Sequence, residues 1–177
     1  MAEKITCAYC GTIGYVEDRH CTSCGASLLL AEEVEREEKD LKGLSFPEAL
    51  GEIGGKYEEY DSCYTTGTIP SRKLRNAAKA FEINDPDEIL FLYDATVFGS
   101  NKQGFAICKS GFYWKNDWTT PTKRNFLTWD AYKEREIKRK KKESIINLGR
   151  GDQIFVLDED ELAPLTKFLE KVQALLS

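Results

Sequence analysis

The sequence has few of the residues on which many enzyme mechanisms depend. It contains one histidine, His20, and one methionine. A serine or cysteine nucleophile is commonly activated by a neighbouring histidine. Because His20 is the one histidine and lies in the N-terminal part, the C-terminal half holds no Ser–His or Cys–His pair. It also lacks a glycine-rich phosphate loop, because Gly99, Gly149 and Gly151 are isolated turn glycines. The sequence therefore predicts a protein that is not an enzyme.

Long apolar runs are also missing. No stretch of about 18 apolar residues occurs, so we expect no transmembrane helix. The N-terminus lacks the basic and then apolar pattern of a signal peptide. Because the cysteines are paired as in metal sites, we expect a reducing, cytoplasmic location.

Positive charge is scarce in the first part of the chain. Residues 1–70 contain 6 Lys and Arg against 14 Asp and Glu, whereas residues 71–177 contain 19 against 16. Affinity for nucleic acid depends mainly on Lys and Arg contacts to phosphates. The N-terminal part is therefore poorly suited to binding nucleic acid.

Four of the six cysteines form two Cys-x-x-Cys pairs near the N-terminus. Cys7 and Cys10 make the first pair, and Cys21 and Cys24 the second, with ten residues between the pairs and a glycine after each. Four thiolates complete the tetrahedral shell of Zn²⁺ and leave no open position for a reacting water. We therefore predict one structural zinc ion (Zn²⁺).

The stretch CAYCGTIGYVEDRHCTSCG, residues 7–25, resembles the zinc ribbons and zinc knuckles of bacterial proteins, which have the form C-x-x-C-G…C-x-x-C-G. The resemblance covers about residues 5–30 and implies a fold for residues 1–30 rather than a function. His20 is an alternative ligand, but a loop position is favoured because four cysteines already complete the shell.

Residues 31–69 are predicted to be an acidic helical linker. The stretch LLLAEEVEREEKDLK, residues 28–42, becomes polar and acidic after its leucines, as in a solvated helix. Pro47 and the Gly54–Gly55 pair interrupt the segment that follows. We interpret that segment as a loosely ordered connector. The alternative is a short amphipathic turn through Phe46, Leu50 and Ile53 that docks on another surface.

Residues 70–177 show a different pattern. A helix is predicted over residues 71–83 with Ser71 as its N-cap, and a second helix over 161–176. Between them lie short β-like runs at 89–94, 104–108, 111–115, 125–129, 144–148 and 153–158, with a polar run at 134–141. Lys109 and Ser110 are predicted to form a tight hairpin turn.

About seven antiparallel strands followed by one helix is the plan of a pleckstrin-homology-like barrel. The runs DATVFGS (94–100), QGFAICKSGFYWKN (103–116) and LTW (127–129) resemble bacterial pleckstrin-homology-like or GRAM-like domains, which carry a G-F-x-I-T-x-x-G-x-Y-x-K pattern. Cys108 stands where threonine is frequent, and a strand accommodates it. The resemblance implies an α+β protein: a small zinc ribbon plus a pleckstrin-homology-like antiparallel β-barrel capped by a C-terminal helix.

A basic run, KEREIKRKKKE (133–143), is the candidate ligand-binding segment of this domain. Its cations are Lys133, Arg135, Lys138, Arg139, Lys140, Lys141 and Lys142. In a strand, Arg135, Ile137 and Arg139 would share one face. The run is suited to anionic headgroups or nucleic-acid phosphates, and the alternative is a solvated edge strand whose lysines block pairing.

Other reactive groups offer little support for catalysis. Asp94 with Asp117 or Asp130 is the only candidate acid/base couple, and nothing in the sequence brings them together. Cys63 and Cys108 are expected to be buried structural thiols.

These observations predict a non-enzymatic binding or adaptor protein. Its pleckstrin-homology-like domain would recognise an unknown protein partner, or, less favoured, an anionic lipid at a membrane surface. The first alternative is a nucleic-acid-associated regulator that uses the zinc ribbon together with the basic segment 133–142. The second alternative is an enzyme of unrecognised type.

Overall fold

The computed structural model describes residues 4–7, 10–15, 21–24, 41, 43–117, 124–140 and 143–176. The chain divides into two units, Met1–Leu44 and Ser45–Ser177. The acidic helix predicted within residues 28–42 falls, apart from Leu41, outside the described residues.

The N-terminal unit contains a small antiparallel hairpin. Its strands are β1 (Lys4–Thr6) and β2 (Ile13–Tyr15), with Ile5 opposite Gly14. The buried cluster described in this unit consists of Cys7 and Cys21, with Ile5 and Cys24 packed against it. A bound metal can supply folding free energy to a short module.

A five-stranded antiparallel sheet forms the centre of the C-terminal unit. The order is β3-β4-β5-β6-β7, with β3 (Cys63–Thr65), β4 (Ile89–Asp94), β5 (Gly104–Cys108), β6 (Gly111–Lys115) and β7 (Arg124–Leu127). Every residue of β4 and β5 is buried, which explains why their sequences are nearly continuous apolar runs. The strands predicted at 89–94, 104–108 and 111–115 are confirmed.

The turn between β5 and β6 consists of Lys109 and Ser110, as predicted, with Cys108 opposite Gly111. Gly111 has φ +154°, and a Cβ built there would lie 2.3 Å from the carbonyl oxygen of Leu127. At the other end of β5, a Cβ on Gly104 (φ +121°) would lie 2.0 Å from the carbonyl oxygen of Tyr93. Both positions therefore require glycine.

A second antiparallel sheet has three strands in the order β10-β9-β8. They are β8 (Lys138–Lys140), β9 (Ile145–Asn147) and β10 (Gln153–Phe155). Asn116, just after β6, joins the sheets: its amide donates to the oxygen of Gln153 at 2.6 Å and accepts from the nitrogen of Phe155 at 2.8 Å. In the described part of the C-terminal unit, the strands make two sheets and no closed barrel.

Four helices accompany the sheets in the described part of this unit. They are α1 (Phe46–Gly55), α2 (Ser71–Phe81), α3 (Trp129–Lys133) and α4 (Glu159–Leu175), with a 3₁₀ turn at Pro86–Glu88. Helix α2 buries Ala77, Ala78 and Phe81, and its N-cap is Pro70 rather than the predicted Ser71. In α4, Phe168 lies with its ring centroid 4.3 Å from that of Phe91 in β4.

The C-terminal unit begins earlier than predicted. Helix α1 and strand β3 occupy part of the predicted linker, yet α1 packs against α4, β4 and β3. Leu50 is 1% exposed and Ile53 is 3% exposed. Residues 45–69 are therefore integral to the unit, and the docking turn through Phe46, Leu50 and Ile53 is a full helix.

The strand predicted at 125–129 ends early. Strand β7 stops at Leu127 because α3 begins at Trp129, with Thr128 as its N-cap. The Thr128 hydroxyl accepts a hydrogen bond from the nitrogen of Ala131 at 3.3 Å, a typical capping interaction that satisfies a free N–H of the first turn. The N-cap threonine that marks the start of α3 can be read in the sequence Thr-Trp-Asp-Ala, residues 128–131.

Candidate metal centre

The first Cys-x-x-Cys pair is held by backbone hydrogen bonds at the base of the β1–β2 hairpin. The nitrogen of Cys7 donates to the oxygen of Thr12 at 2.9 Å, and the nitrogen of Gly11 donates to the oxygen of Cys7 at 2.9 Å. Gly11 has φ +72°, in the left-handed region that glycine adopts without strain. The glycine after Cys10 is therefore what lets the chain turn back into β2.

The structure brings all four predicted ligands together. The Sγ atoms of Cys7, Cys10, Cys21 and Cys24 all lie within 4.8 Å of one another. The closest contacts join the two pairs, since Cys7 Sγ lies 3.5 Å from Cys24 Sγ and Cys10 Sγ lies 3.5 Å from Cys21 Sγ.

These distances fit a tetrahedral metal shell and not disulfides. Ligands at the usual zinc–sulfur distance of about 2.3 Å on a tetrahedron are separated by about 3.8 Å, close to the observed spacing. A disulfide needs sulfurs about 2.05 Å apart, and none of the four cysteines forms a disulfide. The four residues therefore form a site that suits one metal ion with a preference for soft thiolate ligands.

The electrostatics of the site vary across the four thiols. Cys7 and Cys21 are each 2% exposed, Cys24 is half-buried and Cys10 is exposed. The hydrogen bond of Cys10 with the Thr12 hydroxyl, 3.2 Å long, and a further one with the Thr12 backbone lower the pKa of the Cys10 thiol from 9.0 to about 6. The thiolate is the form that binds metals. His20, the alternative ligand, lies outside the described residues.

Among its described residues, the basic run does not form one cationic face. The Arg135 side chain is 8% exposed and pairs with Asp152, with Nη2 lying 2.9 Å from Oδ2. Its Nη1 also donates to the oxygen of Gly149 at 3.1 Å. Arg135 thus ties the end of α3 to the turn between β9 and β10, and its charge is taken up inside the unit.

Two further cations of the run are paired on the surface. Lys138 Nζ lies 2.5 Å from Glu136 and Lys140 Nζ lies 3.3 Å from Glu143. Exposed pairs of this kind contribute little stability, but they offset the positive charge of the segment. Of the remaining candidates, Lys133 is exposed at the end of α3 and Arg139 is half-buried in β8, while Lys141 and Lys142 lie outside the described residues.

The residues considered for catalysis have structural contacts. The Asp94 carboxylate is 3% exposed, pairs with Lys73 Nζ at 2.9 Å, and accepts hydrogen bonds from the backbone nitrogens of Thr96 and Asn101. Burial raises the pKa of both remaining thiols, Cys63 and Cys108, to about 12. These thiols are protonated at neutral pH and therefore weak nucleophiles.

A buried polar cluster that the sequence did not indicate lies at the start of α4. Glu161 is 8% exposed and accepts hydrogen bonds from the hydroxyl of Ser62 and, at 3.0 Å, from the hydroxyl of Tyr93. The Tyr93 hydroxyl also accepts from the nitrogen of Leu157 at 2.9 Å. Ser62, Tyr93 and Glu161 are far apart in sequence, so only the fold reveals this cluster.

Comparison with known proteins yields no relatives: neither family models nor curated proteins nor solved structures match the chain. Among the described residues, no helix has both the length and the apolar character that crossing a bilayer requires.

Proposed function

We propose that the chain is a non-enzymatic binding protein that consists of a zinc-stabilised N-terminal module and a pleckstrin-homology-like recognition unit. The observation that carries the proposal is the cluster of four Sγ atoms within 4.8 Å of one another. The ion would be held by Cys7, Cys10, Cys21 and Cys24. Because four protein ligands leave no open position for a reacting water, the role of the ion would be structural.

The choice of zinc follows from ligand chemistry. Four thiolates in tetrahedral positions are typical of Zn²⁺ and of iron, and the short Cys-x-x-Cys spacing is typical of structural zinc modules. The few buried residues described in the N-terminal unit support a metal-dependent fold, because a bound ion then supplies most of its folding free energy.

The strand order supports a pleckstrin-homology-like plan for the C-terminal unit. Strands β4 to β7 follow one another in an antiparallel sheet, β8 to β10 form a second sheet, and α4 comes last. Elements α1, β3 and α2 precede this plan and are additions to it. A binding role is favoured over catalysis because Asp94, Cys63 and Cys108 are all buried in structural contacts.

Elemental analysis tests the metal site. Full-length protein purified under reducing conditions without chelator is expected to contain about one zinc per chain. Cys21→Ser should lose the metal, because removing one thiolate opens the shell, while the matched control Cys63→Ala should retain it. Iron in place of zinc would refute the metal assignment, and a metal-free protein with an intact hairpin would refute the site.

Thiol titration provides an independent readout. With the metal bound, the four ligand thiols should react slowly with a thiol reagent, and a chelator should make four of the six cysteines reactive. Cys63 and Cys108 should react only on unfolding, since both are buried. Equal reactivity before and after chelation would contradict the proposal.

A further inference from the structure

The four cysteines of the metal site differ in how accessible they are to solvent. Cys10 is exposed and Cys24 is half-buried, whereas Cys7 and Cys21 are each 2% exposed. The exposed Cys10 has its Sγ 3.5 Å from Sγ of the buried Cys21. The half-buried Cys24 has its Sγ 3.5 Å from Sγ of the buried Cys7. The site therefore contains two contacts, each between a more accessible sulfur and a buried one.

Both of these contacts cross from one Cys-x-x-Cys pair to the other. A disulfide holds its sulfurs about 2.05 Å apart, so closing a 3.5 Å contact into a disulfide moves each sulfur by about 0.7 Å. The two contacts use each of the four sulfurs once. Two disulfides between the pairs can therefore form in the same module without competing for a sulfur.

We infer that the site is a reversible redox switch, in which a hydroperoxide converts the four thiolates into the disulfides Cys10–Cys21 and Cys7–Cys24. The inference rests on the proposed function in taking these cysteines to hold zinc. In the reduced form the ion joins the two Cys-x-x-Cys turns, and in the oxidised form the disulfides join the same two turns. The N-terminal module thus changes between a metal-bound form and a disulfide-linked form without metal.

The oxidation begins at Cys10, the most accessible of the four cysteines. Its thiolate attacks the hydroperoxide, so that an S–O bond forms, the O–O bond breaks, and the departing oxygen takes up a proton. The sulfur of Cys21 then attacks the Cys10 sulfenic acid, which forms the S–S bond and breaks the S–O bond. The oxygen leaves as water after taking up a second proton. Each disulfide therefore takes two electrons from two thiolates and reduces one hydroperoxide.

Loss of the metal follows from the chemistry of the ligands. The thiolate is the form of cysteine that binds metals, and a sulfur in a disulfide is no longer a thiolate. The first disulfide removes two of the four ligands, whereas a structural zinc site needs all four. Cys7 and Cys24 are then released from the ion and react with a second hydroperoxide in the same way.

The two other cysteines provide an internal control. Cys63 and Cys108 are buried in the C-terminal unit, on strands β3 and β5. Because oxidation depends on thiolate character and access to solvent, both should stay reduced while the metal site is oxidised. Cys63→Ala should accordingly give the same disulfides and the same zinc release as wild type.

Peptide mapping of the full-length, zinc-loaded protein after treatment with hydrogen peroxide tests the pairing. Trypsin cleaves after Arg19, between the two Cys-x-x-Cys pairs, and releases them in the peptides 5–19 and 20–36. After remaining thiols are alkylated, disulfides between the pairs should hold these two peptides together until a reductant is added. Two separate peptides, each with an internal disulfide, would refute the pairing.

Limiting peroxide tests the order and the reversibility of the reaction. Tandem mass spectrometry of the linked peptides should show Cys10–Cys21 before Cys7–Cys24, and a zinc indicator should report release of about one zinc per chain. Dithiothreitol with added zinc should then restore the metal and all six thiols. Sulfinic or sulfonic acids in place of disulfides, or failure to recover the metal, would exclude a reversible switch.

Oxidation in urea with a chelator shows whether the fold directs the pairing. The unfolded chain should give a mixture that includes disulfides within each Cys-x-x-Cys pair, because nothing then holds the sulfurs in their native contacts. The same mixture from the folded protein would refute the inference. Zinc content before oxidation tests the proposed function separately: zinc without the expected disulfides overturns the switch and leaves the metal site, whereas a metal-free starting protein overturns both.

Discussion

Replacing Leu50 by alanine tests whether residues 45–69 are a linker or part of the C-terminal core. The side chain is 1% exposed, in a helix that packs on α4, β4 and β3. Truncating a buried leucine costs about 2–5 kcal/mol through lost transfer free energy and the cavity left behind. A domain of this size has about 5–15 kcal/mol of stability in total, so Leu50→Ala should remove a large fraction of it.

Urea unfolding of the full-length protein, followed by tryptophan fluorescence, measures this change. With a denaturant slope of about 2 kcal/mol/M, a loss of about 3 kcal/mol lowers the midpoint by about 1.5 M. Glu52→Ala, at an exposed position of the same helix, is the matched control and should change the free energy of unfolding by less than about 0.5 kcal/mol. If both variants unfold at the wild-type midpoint, α1 does not belong to the core.

Two further predictions concern a glycine and a carboxylate. Gly104→Ala should lower the free energy of unfolding, measured by thermal unfolding, by about 4 kcal/mol or more, because the new Cβ would lie 2.0 Å from the oxygen of Tyr93. At the control position Gly51 a Cβ has no atom within 4 Å, so Gly51→Ala should raise the free energy of unfolding by up to about 1 kcal/mol. Equal effects of the two variants would refute the close approach at Gly104. Hydrogen bonds from the Thr65 and Thr68 side chains lower the pKa of the Glu58 carboxyl in the folded protein. The ionised Glu58 carboxylate therefore stabilises the fold fully above its pKa in the unfolded chain, about 4.3, and this stabilisation is lost as pH falls through the pKa in the folded protein. The stability difference between wild type and Glu58→Gln should therefore shrink below about pH 4, and parallel curves down to acid pH would contradict this.

The elements that could be predicted from the sequence are those whose pattern is local. The runs ILFLYD and GFAIC are continuous apolar segments because both faces of β4 and β5 are buried. The cluster of four cysteines could also be predicted, because Cys-x-x-Cys spacing places two thiols on one side of a possible metal site.

The elements that could not be predicted depend on distant partners. Strand β3 has three residues and pairs, among the described strands, only with β4, so its sequence carries no period to recognise. Arg135 belongs to a basic run by composition, but Asp152 pairs with it inside the unit. Likewise, hydrophobicity alone does not indicate that Phe98 is 94% exposed, in the loop between β4 and β5.

The buried carboxylate of Glu161 also has a consequence for the order in which the unit can be completed. It joins the first turn of α4 to Ser62, 99 residues earlier, and α1 packs on that same last helix. A ribosome releases α4 after every other element of the unit. The Ser62 hydroxyl and the part of α1 that packs on α4 therefore lack these partners until α4 emerges, although β3 and β4 can already pack on α1. Contacts over such separations make folding slow, and these contacts can form only once α4 has been made.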